Sequence, residues 1–143
     1  MRRFQFKLQI LLKHRKNIED QKKRIFARVN RQLIEQESNL RKLENEYFDC
    51  REKVYNDPFI MRQNVYYTDK LKNDIRRQIN VIKNTRTVLE QRRKEMVKAS
   101  GDRRAMEIIR EKRYKEFNTA AMRREQKLLD EICTQQYLAV HEN

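Results

Sequence analysis

The chain has 143 residues, of which 39% are charged and 38% hydrophobic, and it contains one glycine, one proline and no tryptophan. This composition excludes a compact globule, because a globule needs Gly, Pro and Asn-type residues for its turns and more apolar side chains for its core. The net charge of +14, from 35 Lys and Arg against 21 Asp and Glu, implies an acidic partner: nucleic acid, a membrane surface or an acidic protein.

A regular apolar repeat runs through the first part of the chain. From Phe4 to Val54 its members recur mostly at alternating steps of four and three residues, which keeps them on one face of a supercoiled helix. An extra step of four, at Ile25, Val29 and Leu33, is a stutter that locally relaxes the supercoil. Disorder is the alternative for so polar a chain, but the regular spacing favours a helix over about residues 3–56.

The segment Asn56-Asp57-Pro58 holds the only proline of the chain and predicts a turn at residues 56–58. Helical conformation is disfavoured at the residue before a proline, while proline itself is well tolerated at the first position of a helix. We therefore expect a second helix over about residues 59–139. Gly101 is the one place where this helix could kink; the simpler interpretation is a glycine tolerated inside a continuous helix.

A second apolar repeat lies beyond the turn and matches the first. Its members at seven-residue spacing are Ile75, Ile82, Leu89 and Met96. A turn between Asp57 and Pro58 sets them opposite, in the same order, Leu40, Leu33, Ile25 and Ile18. This agreement predicts an all-α fold, a single coiled-coil domain over residues 1–143 that forms a long antiparallel two-helix hairpin. Phe4 would face about Arg110, so that the second helix overhangs the first.

Aromatic residues and charge are distributed unevenly along this hairpin. Residues 35–75 carry nine acids and seven bases, so the positive excess lies in the rest of the chain. Six aromatic residues lie near the turn: Tyr47, Phe48, Tyr55, Phe59, Tyr66 and Tyr67. A turn cannot bury all six, which leaves two interpretations: a docking patch for a partner, or simple capping of the turn.

The residues that catalysis or cofactor binding would need are missing. One glycine excludes phosphate-binding loops, which need several, and His14 and His141 have no companion ligands at metal spacing. The carboxylates alternate with Lys and Arg, which is typical of solvated i,i+4 pairs on helices. Cys50 and Cys133 are two lone thiols. No apolar run approaches the length of a membrane span. We predict a protein that is not an enzyme and holds no cofactor or metal.

Three stretches of the chain resemble a known family. Residues 4–12 are similar to an F-x-F-x-L-Q-x-L-L opening, residues 103–113 to an R-K-A-L-E-K-L-R-E-K-R stretch, and residues 123–132 to a closing R-x-E-Q-K-x-x-D-E-hydrophobic run. All three belong to the flagellar FliJ family, which the chain resembles over essentially its whole length.

The resemblance implies a non-enzymatic stalk of the bacterial flagellar type III protein export apparatus. Members of the family are antiparallel two-helix coiled coils that insert into the hexameric ring of the export ATPase FliI. They also contact the export gate protein FlhA and bind export chaperones. The implied location is the bacterial cytoplasm, peripheral at the cytoplasmic face of the inner membrane, and no nucleic acid is expected as a partner.

The resemblance also implies two sets of contact residues. The ATPase-ring contact would comprise Arg15, Lys16, Arg123, Glu125, Gln126, Lys127, Asp130 and Glu131. The export-gate contact would comprise Gln36, Leu40, Leu43, Tyr47, Tyr67, Leu71 and Gln78. Leu40, Leu43 and Leu71 also lie on the predicted seam between the helices, and for these three the core is the favoured interpretation.

Three other functions remain open from the sequence. The first is the equivalent stalk of a virulence type III secretion system, which shares the shape. The second is a basic coiled-coil nucleic-acid binder, but a zipper-type reader needs a parallel dimer with a basic fork, whereas the matched repeats predict a hairpin. The third is a membrane-surface scaffold, which would need a basic face with Trp or Phe opposite.

Overall fold

The computed structural model describes residues 3–142 and contains two helices, α1 (Gln9–Glu52) and α2 (Pro58–His141). The two helices pack against each other as a hairpin, and the described residues contain no strand. The predicted all-α hairpin is therefore confirmed. With 84 residues against 44, α2 is the longer helix, as the expected overhang requires.

The turn between the helices is built by Asp57 and Pro58. The Asp57 carboxylate accepts a hydrogen bond from the Phe59 amide at 3.0 Å, and its carbonyl accepts the first helical bond from the Met61 amide at 3.0 Å. Asp57 is therefore the N-cap of α2, and Pro58 occupies the first helical position, where its missing N–H leaves no bond unmade. On the other side of the turn, the side-chain Nδ2 of Asn64 donates to the Cys50 carbonyl at 3.0 Å, which satisfies one of the free carbonyls at the end of α1.

The first helix is shorter than expected at both ends, because it begins at Gln9 and ends at Glu52 rather than at about residues 3 and 56. Residues 3–8 are not helical, although they continue the apolar repeat. They contain no Ser, Thr, Asp or Asn that could cap a helix there. Phe6 is buried, and it packs in one cluster with Leu12 and Met106. Burial of aromatic rings against α2 thus decides the conformation of this segment.

By their internal contacts, the residues divide into two compact units. The first unit combines residues up to Asn17 with those from Ser100 onward, and the second spans Ile18–Ala99. In the second unit the buried apolar residues are Leu33, Leu71, Ile82 and Ala99. Glu19 is also buried, and its carboxylate lies 2.8 Å from the Lys23 ammonium.

Cross-helix contacts give the register within the second unit. The Gln78 side chain donates to the Gln36 carbonyl at 3.0 Å, and Gln78 is next to Ile79, the residue that the predicted register sets opposite Gln36. Lys22 lies 3.4 Å from Glu95, close to the same register. The pairing of the two repeats is therefore as the sequence predicts in this unit.

Within the first unit, the N-terminal segment reaches farther along α2 than expected. Phe4 lies against Tyr114 and Phe117, with ring centroids 5.2 and 5.5 Å apart, rather than opposite about Arg110. An extended chain covers about 3.3 Å per residue and a helix about 1.5 Å, so a non-helical segment extends the contact toward the end of α2. Helix α2 continues through Gly101, and whether it bends there stays a prediction.

Candidate functional site

The last turns of α2 form an extended exposed surface of the first unit. We define the C-terminal segment as residues 118–142; from Met122 to Glu142 every residue in it is exposed. The aromatic contact of Phe4 stops at Phe117. The exposed apolar side chains of the segment are Met122, Leu128, Leu129, Ile132, Tyr137, Leu138 and Val140. A helix with an uncovered apolar face is marginal alone in water, so this segment has the properties of a binding surface.

Six of the residues in the predicted ATPase-ring set lie in the C-terminal segment, and all six are exposed: Arg123, Glu125, Gln126, Lys127, Asp130 and Glu131. Glu125, Gln126 and Asp130 line a shallow surface depression together with Met122 and Leu129. The depression therefore places polar side chains beside apolar ones, which is the arrangement at the rim of a protein interface.

The other two residues of that set, Arg15 and Lys16, lie elsewhere. The Arg15 guanidinium is 3.1 Å from the Asp102 carboxylate, and the Lys16 ammonium is 4.0 Å from the Glu107 carboxylate. At about 1.5 Å per residue, Glu107 is about 24 Å along α2 from Arg123. The structure does not bring the eight residues into one surface. Arg15 and Lys16 instead form ion pairs between the helices.

Glu107 is the centre of this ionic cluster. Its carboxylate oxygens lie 2.7 Å from the Arg103 guanidinium and 3.3 Å from that of Arg104. The hydrogen bond from Arg103 and the neighbouring positive charges hold the pKa of Glu107 below its ordinary value. The cluster therefore favours the ionised carboxylate and contributes to the pairing of α1 with α2.

The predicted export-gate set divides into buried and exposed residues. Leu71 is 3% exposed and lies in the core of the second unit, so its side chain is not available to a partner; the core interpretation is the correct one for Leu71. Leu40 and Leu43 are half-buried. Gln36 and Gln78 form a polar pair at the seam, and in the described part of the chain the buried Oε1 of Gln36 accepts no hydrogen bond.

Tyr67 and Tyr47 are the members of the gate set that present aromatic surface. The Tyr67 hydroxyl donates to the Glu46 carboxylate at 3.3 Å, and the negative charge of Glu46 raises the pKa of Tyr67. Tyr47 packs edge-on against Phe48 at 5.7 Å, and the Lys72 ammonium lies 5.8 Å from the centroid of its ring. These contacts fix the orientation of both rings on the surface.

The turn leaves a broad apolar surface exposed. Phe48 is 55%, Phe59 66% and Tyr66 77% exposed, which favours a docking patch over simple capping of the turn. The apolar residues Val54, Ile60, Met61 and Val65 add to this surface. Val54 is the last member of the first apolar repeat, but it lies beyond the end of α1 and is therefore exposed. The other three lie outside both repeats.

An open groove along the second unit was also not predicted from the sequence. Its apolar floor is formed by Leu40, Ile79 and Ile82, and basic side chains on its rim include Lys83 and Lys94. Ile79 belongs to the second apolar repeat but is 48% exposed, because it lies at the edge of the seam. The groove therefore combines apolar and basic surface that a partner helix could cover.

Residues 3–142 contain no group of three or more His, Cys, Asp or Glu side chains placed to hold a metal ion. In the same residues, neither helix has a stretch long and apolar enough to cross a membrane.

A helical hairpin with exposed apolar helix surface and charged rims defines a class of protein whose surface is suited to binding other proteins. The chain matches the family described as flagellar FliJ protein over residues 4–142. It therefore belongs to the FliJ family, a family of non-enzymatic, flagellar export-associated proteins. The resemblance found in the sequence is confirmed. No curated protein and no solved structure matches the chain.

Proposed function

We propose that this protein is the stalk of the flagellar type III export apparatus, with the C-terminal segment held in the ring of the export ATPase FliI and the turn-proximal surface in contact with the export gate protein FlhA. It would act in the bacterial cytoplasm, at the cytoplasmic face of the inner membrane. The observation that carries the proposal is the exposure of every residue from Met122 to Glu142 in a chain of this family.

The C-terminal segment suits a ring that surrounds it. Leu128 and Ile132 lie on one ridge of the helix, since residues four apart are neighbours, and Met122 and Leu129 lie on an adjacent ridge. The apolar face is therefore wide. Arg123 and Lys127 present charge outside that face, where the ring subunits could pair with them. Insertion into the ring would cover an apolar surface that has no cover in the described chain.

The turn-proximal surface suits a different partner. Exposed aromatic side chains are the residue type that most often anchors a protein interface, and Phe59, Tyr66 and Tyr67 supply three of them beside Tyr47. Of the predicted gate residues, we retain Tyr47 and Tyr67 as direct contacts and assign Gln36, Gln78 and the leucines to the seam that positions them. Export chaperones are a further proposed class of partner, for which the groove floored by Leu40 and Ile79 is the candidate.

The test is a titration of the full chain against FliI, with ATPase rate and ring assembly as readouts. We expect stimulation that is lost in a chain carrying Leu128→Asp and Ile132→Asp. The matched control is Ile34→Asp, which changes an equally exposed apolar residue of the second unit (54% exposed) and should leave stimulation unchanged.

Three results would contradict the proposal. Undiminished stimulation by the double variant would exclude the C-terminal segment as the ring contact. An equal loss with Ile34→Asp would indicate a general defect of folding. Absence of ATPase binding together with salt-sensitive binding to nucleic acid would favour a nucleic-acid binder. Between the two kinds of type III stalk, the family match favours the flagellar one.

A further inference from the structure

The apolar face of the C-terminal segment needs a cover even in the isolated protein. Leu128 is 59%, Leu129 61% and Ile132 42% exposed, and Met122 lies seven residues before Leu129, on the same side of the helix. Among the described residues of the first unit, α1 and residues 3–8 contact aromatic side chains of α2 as far as Phe117. This face is therefore open to an occupant when no other protein is present.

The order of charges in the segment is informative about the occupant. The bases Arg123, Arg124 and Lys127 come first, and Asp130 and Glu131 follow. The segment as a whole has three bases and four acids, so it lacks the strong positive charge of the complete chain and does not select an acidic partner. Residues 118–127 carry three bases against one acid, Glu125, and residues 128–142 carry three acids and no Lys or Arg. A helix with this order of charge is complementary to a copy of itself that runs in the opposite direction.

We infer that the free protein pairs with a second copy of itself through its C-terminal segment, in an antiparallel two-fold arrangement. Such an interface uses the same surface on both copies, so each pairing occurs twice. With Ala121, Leu128 and Ile132 in the seam, Arg124 lies in a flanking position where antiparallel coiled coils form ion pairs. Its counterpart is then Glu131 of the second copy. The two-fold axis passes between Gln126 and Lys127.

The same register also matches the apolar residues. It sets Met122 against Leu129 of the second copy, and Ala121 against Ile132 of the second copy, so large residues meet smaller or flexible ones. The register satisfies the ionic pairs and most of the apolar contacts together, but the seam position between Ala121 and Leu128 is Glu125, which faces Leu128 of the second copy close to the axis. The overlap of residues 118–135 is about 27 Å long, which predicts a weak dimer that forms with rising protein concentration.

The last turns of the second copy would then reach an existing depression. In this register Leu138 of the second copy lies beside Lys115, next to the open depression lined by Phe4, Arg110 and Tyr114. Leu138 is 55% exposed in the free chain. Covering it there would extend the dimer interface from the C-terminal segment onto the body of the first unit.

A parallel pair fits the charges poorly. It would bring Arg123, Arg124 and Lys127 of both copies to one level, and Asp130 and Glu131 of both copies to another. Like charges at that spacing destabilise a helix pair. The charge order therefore specifies the direction of pairing more than its strength, since exposed ion pairs contribute little to affinity.

Charge exchange tests the pairing in the full-length chain. Sedimentation velocity over rising concentration should show a reversible monomer–dimer equilibrium. Arg124→Glu alone, or Glu131→Arg alone, places like charges opposite each other at two symmetric sites, and each should raise the dimer dissociation constant about tenfold. An equimolar mixture of the two variants restores both ion pairs, so mixed dimers should form about as well as dimers of the parent. A matched control, Arg76→Glu, lies on the exposed surface of the second unit, outside the interface, and should change the constant little.

Cross-linking tests the direction. In the antiparallel register the two copies of residue 125 lie close to the two-fold axis. The two copies of Cys133 are about 20 Å apart along the paired helices, which is too far for a disulfide. A chain with Glu125→Cys, Cys50→Ser and Cys133→Ser should form a disulfide dimer under mild oxidation. A chain with Cys50→Ser, which keeps Cys133, should not.

Several outcomes would overturn the inference. A chain that stays monomeric at every concentration, single charge reversals without effect, or a mixture that fails to restore pairing would each exclude a second copy as the occupant. Efficient cross-linking through Cys133 would show a parallel pair. Because every measurement uses the isolated chain without FliI, failure of this inference is distinguishable from failure of the proposed stalk function.

Discussion

Phe4 packs edge-to-face against Tyr114, with their ring centroids 5.2 Å apart and their planes at 72°. The two residues belong to different elements, a non-helical N-terminal segment and the second half of α2. Their contact therefore holds the N-terminal segment against α2. It also marks where cover by the N-terminal segment stops and the C-terminal segment begins.

Replacement of Phe4 by Ala should loosen this attachment. Loss of a half-buried ring with two aromatic neighbours is expected to lower the free energy of unfolding by about 2 kcal/mol. Hydrogen exchange should show faster exchange at the amides of the first turns of α1. The matched control is Ile10→Ala: Ile10 is 84% exposed and its truncation should change stability by less than about 0.5 kcal/mol. Equal effects of the two variants would mean that the ring contact contributes nothing.

Replacement of Gly101 by Ala should stabilise the protein. A Cβ at this position meets no atom within 4 Å, and alanine in a helix interior is favoured over glycine by about 1 kcal/mol. Chemical denaturation should show a higher midpoint with an unchanged slope.

The same variant tests whether α2 bends at Gly101. A loss of stability on Gly101→Ala would show that the glycine serves a conformation that alanine disfavours. Gly101→Pro is the converse control: it removes a helical hydrogen bond and should cost about 3 kcal/mol or more.

Acid should weaken the contact between the helices at Glu107. The hydrogen bond from Arg103 lowers the pKa of this carboxyl below its ordinary value of 4.5. A group whose pKa is lower in the folded state contributes stability above its ordinary pKa and loses that contribution as the pH falls through the lowered pKa. We therefore expect Glu107→Gln to be less stable than the parent at pH 7, and the difference to disappear in strong acid.

Thermal unfolding of both chains at a series of pH values checks this. Glu111→Gln is the matched control, because the Glu111 carboxylate is 3.5 Å from Arg104 but 59% of its side chain is exposed, so its effect should be smaller at every pH. A difference between parent and Glu107→Gln that is independent of pH would show that the charge of Glu107 is not the cause.

The sequence predicted the hairpin because two physical signals agree. The proline at position 58 fixes where the chain turns, and two apolar repeats then come into register, which is seen in the burial of Leu33 and Ile82. The predicted start of α1 was wrong, because the apolar repeat begins at Phe4 but cannot show that the rings of Phe4 and Phe6 pack from a non-helical segment. The contact of Phe4 with Tyr114, more than a hundred positions away in the sequence, outweighs the local helical pattern of this segment.

The contact surfaces were less predictable than the fold. Leu71 matched the family pattern for a gate contact, yet a residue on the seam satisfies that pattern for packing reasons alone, and only burial separates the two roles. Of the exposed apolar residues around the turn, Met61 fits no repeat and carried no signal, whereas Val54 continues the first repeat but lies past the end of α1. The net charge was predictable from the sequence, but the ion pairs were not, since Arg15 and Lys16 pair with Asp102 and Glu107 on α2.

The exposed aromatic residues at the turn give the sharpest test of the proposed gate contact. Phe59→Ser and Tyr66→Ser together should weaken binding to FlhA at least about tenfold, because aromatic anchors carry a large part of interface energy. Both side chains are largely exposed, so the free energy of unfolding should stay within about 0.5 kcal/mol of the parent. ATPase stimulation should also be retained, since the C-terminal segment is unchanged.

The control is Leu71→Ala, which removes a buried side chain and should cost about 2–5 kcal/mol of stability and weaken all binding in proportion to unfolding. If the aromatic pair proves dispensable for FlhA binding while Leu71→Ala abolishes it, the gate contact depends on an intact hairpin and lies elsewhere on its surface.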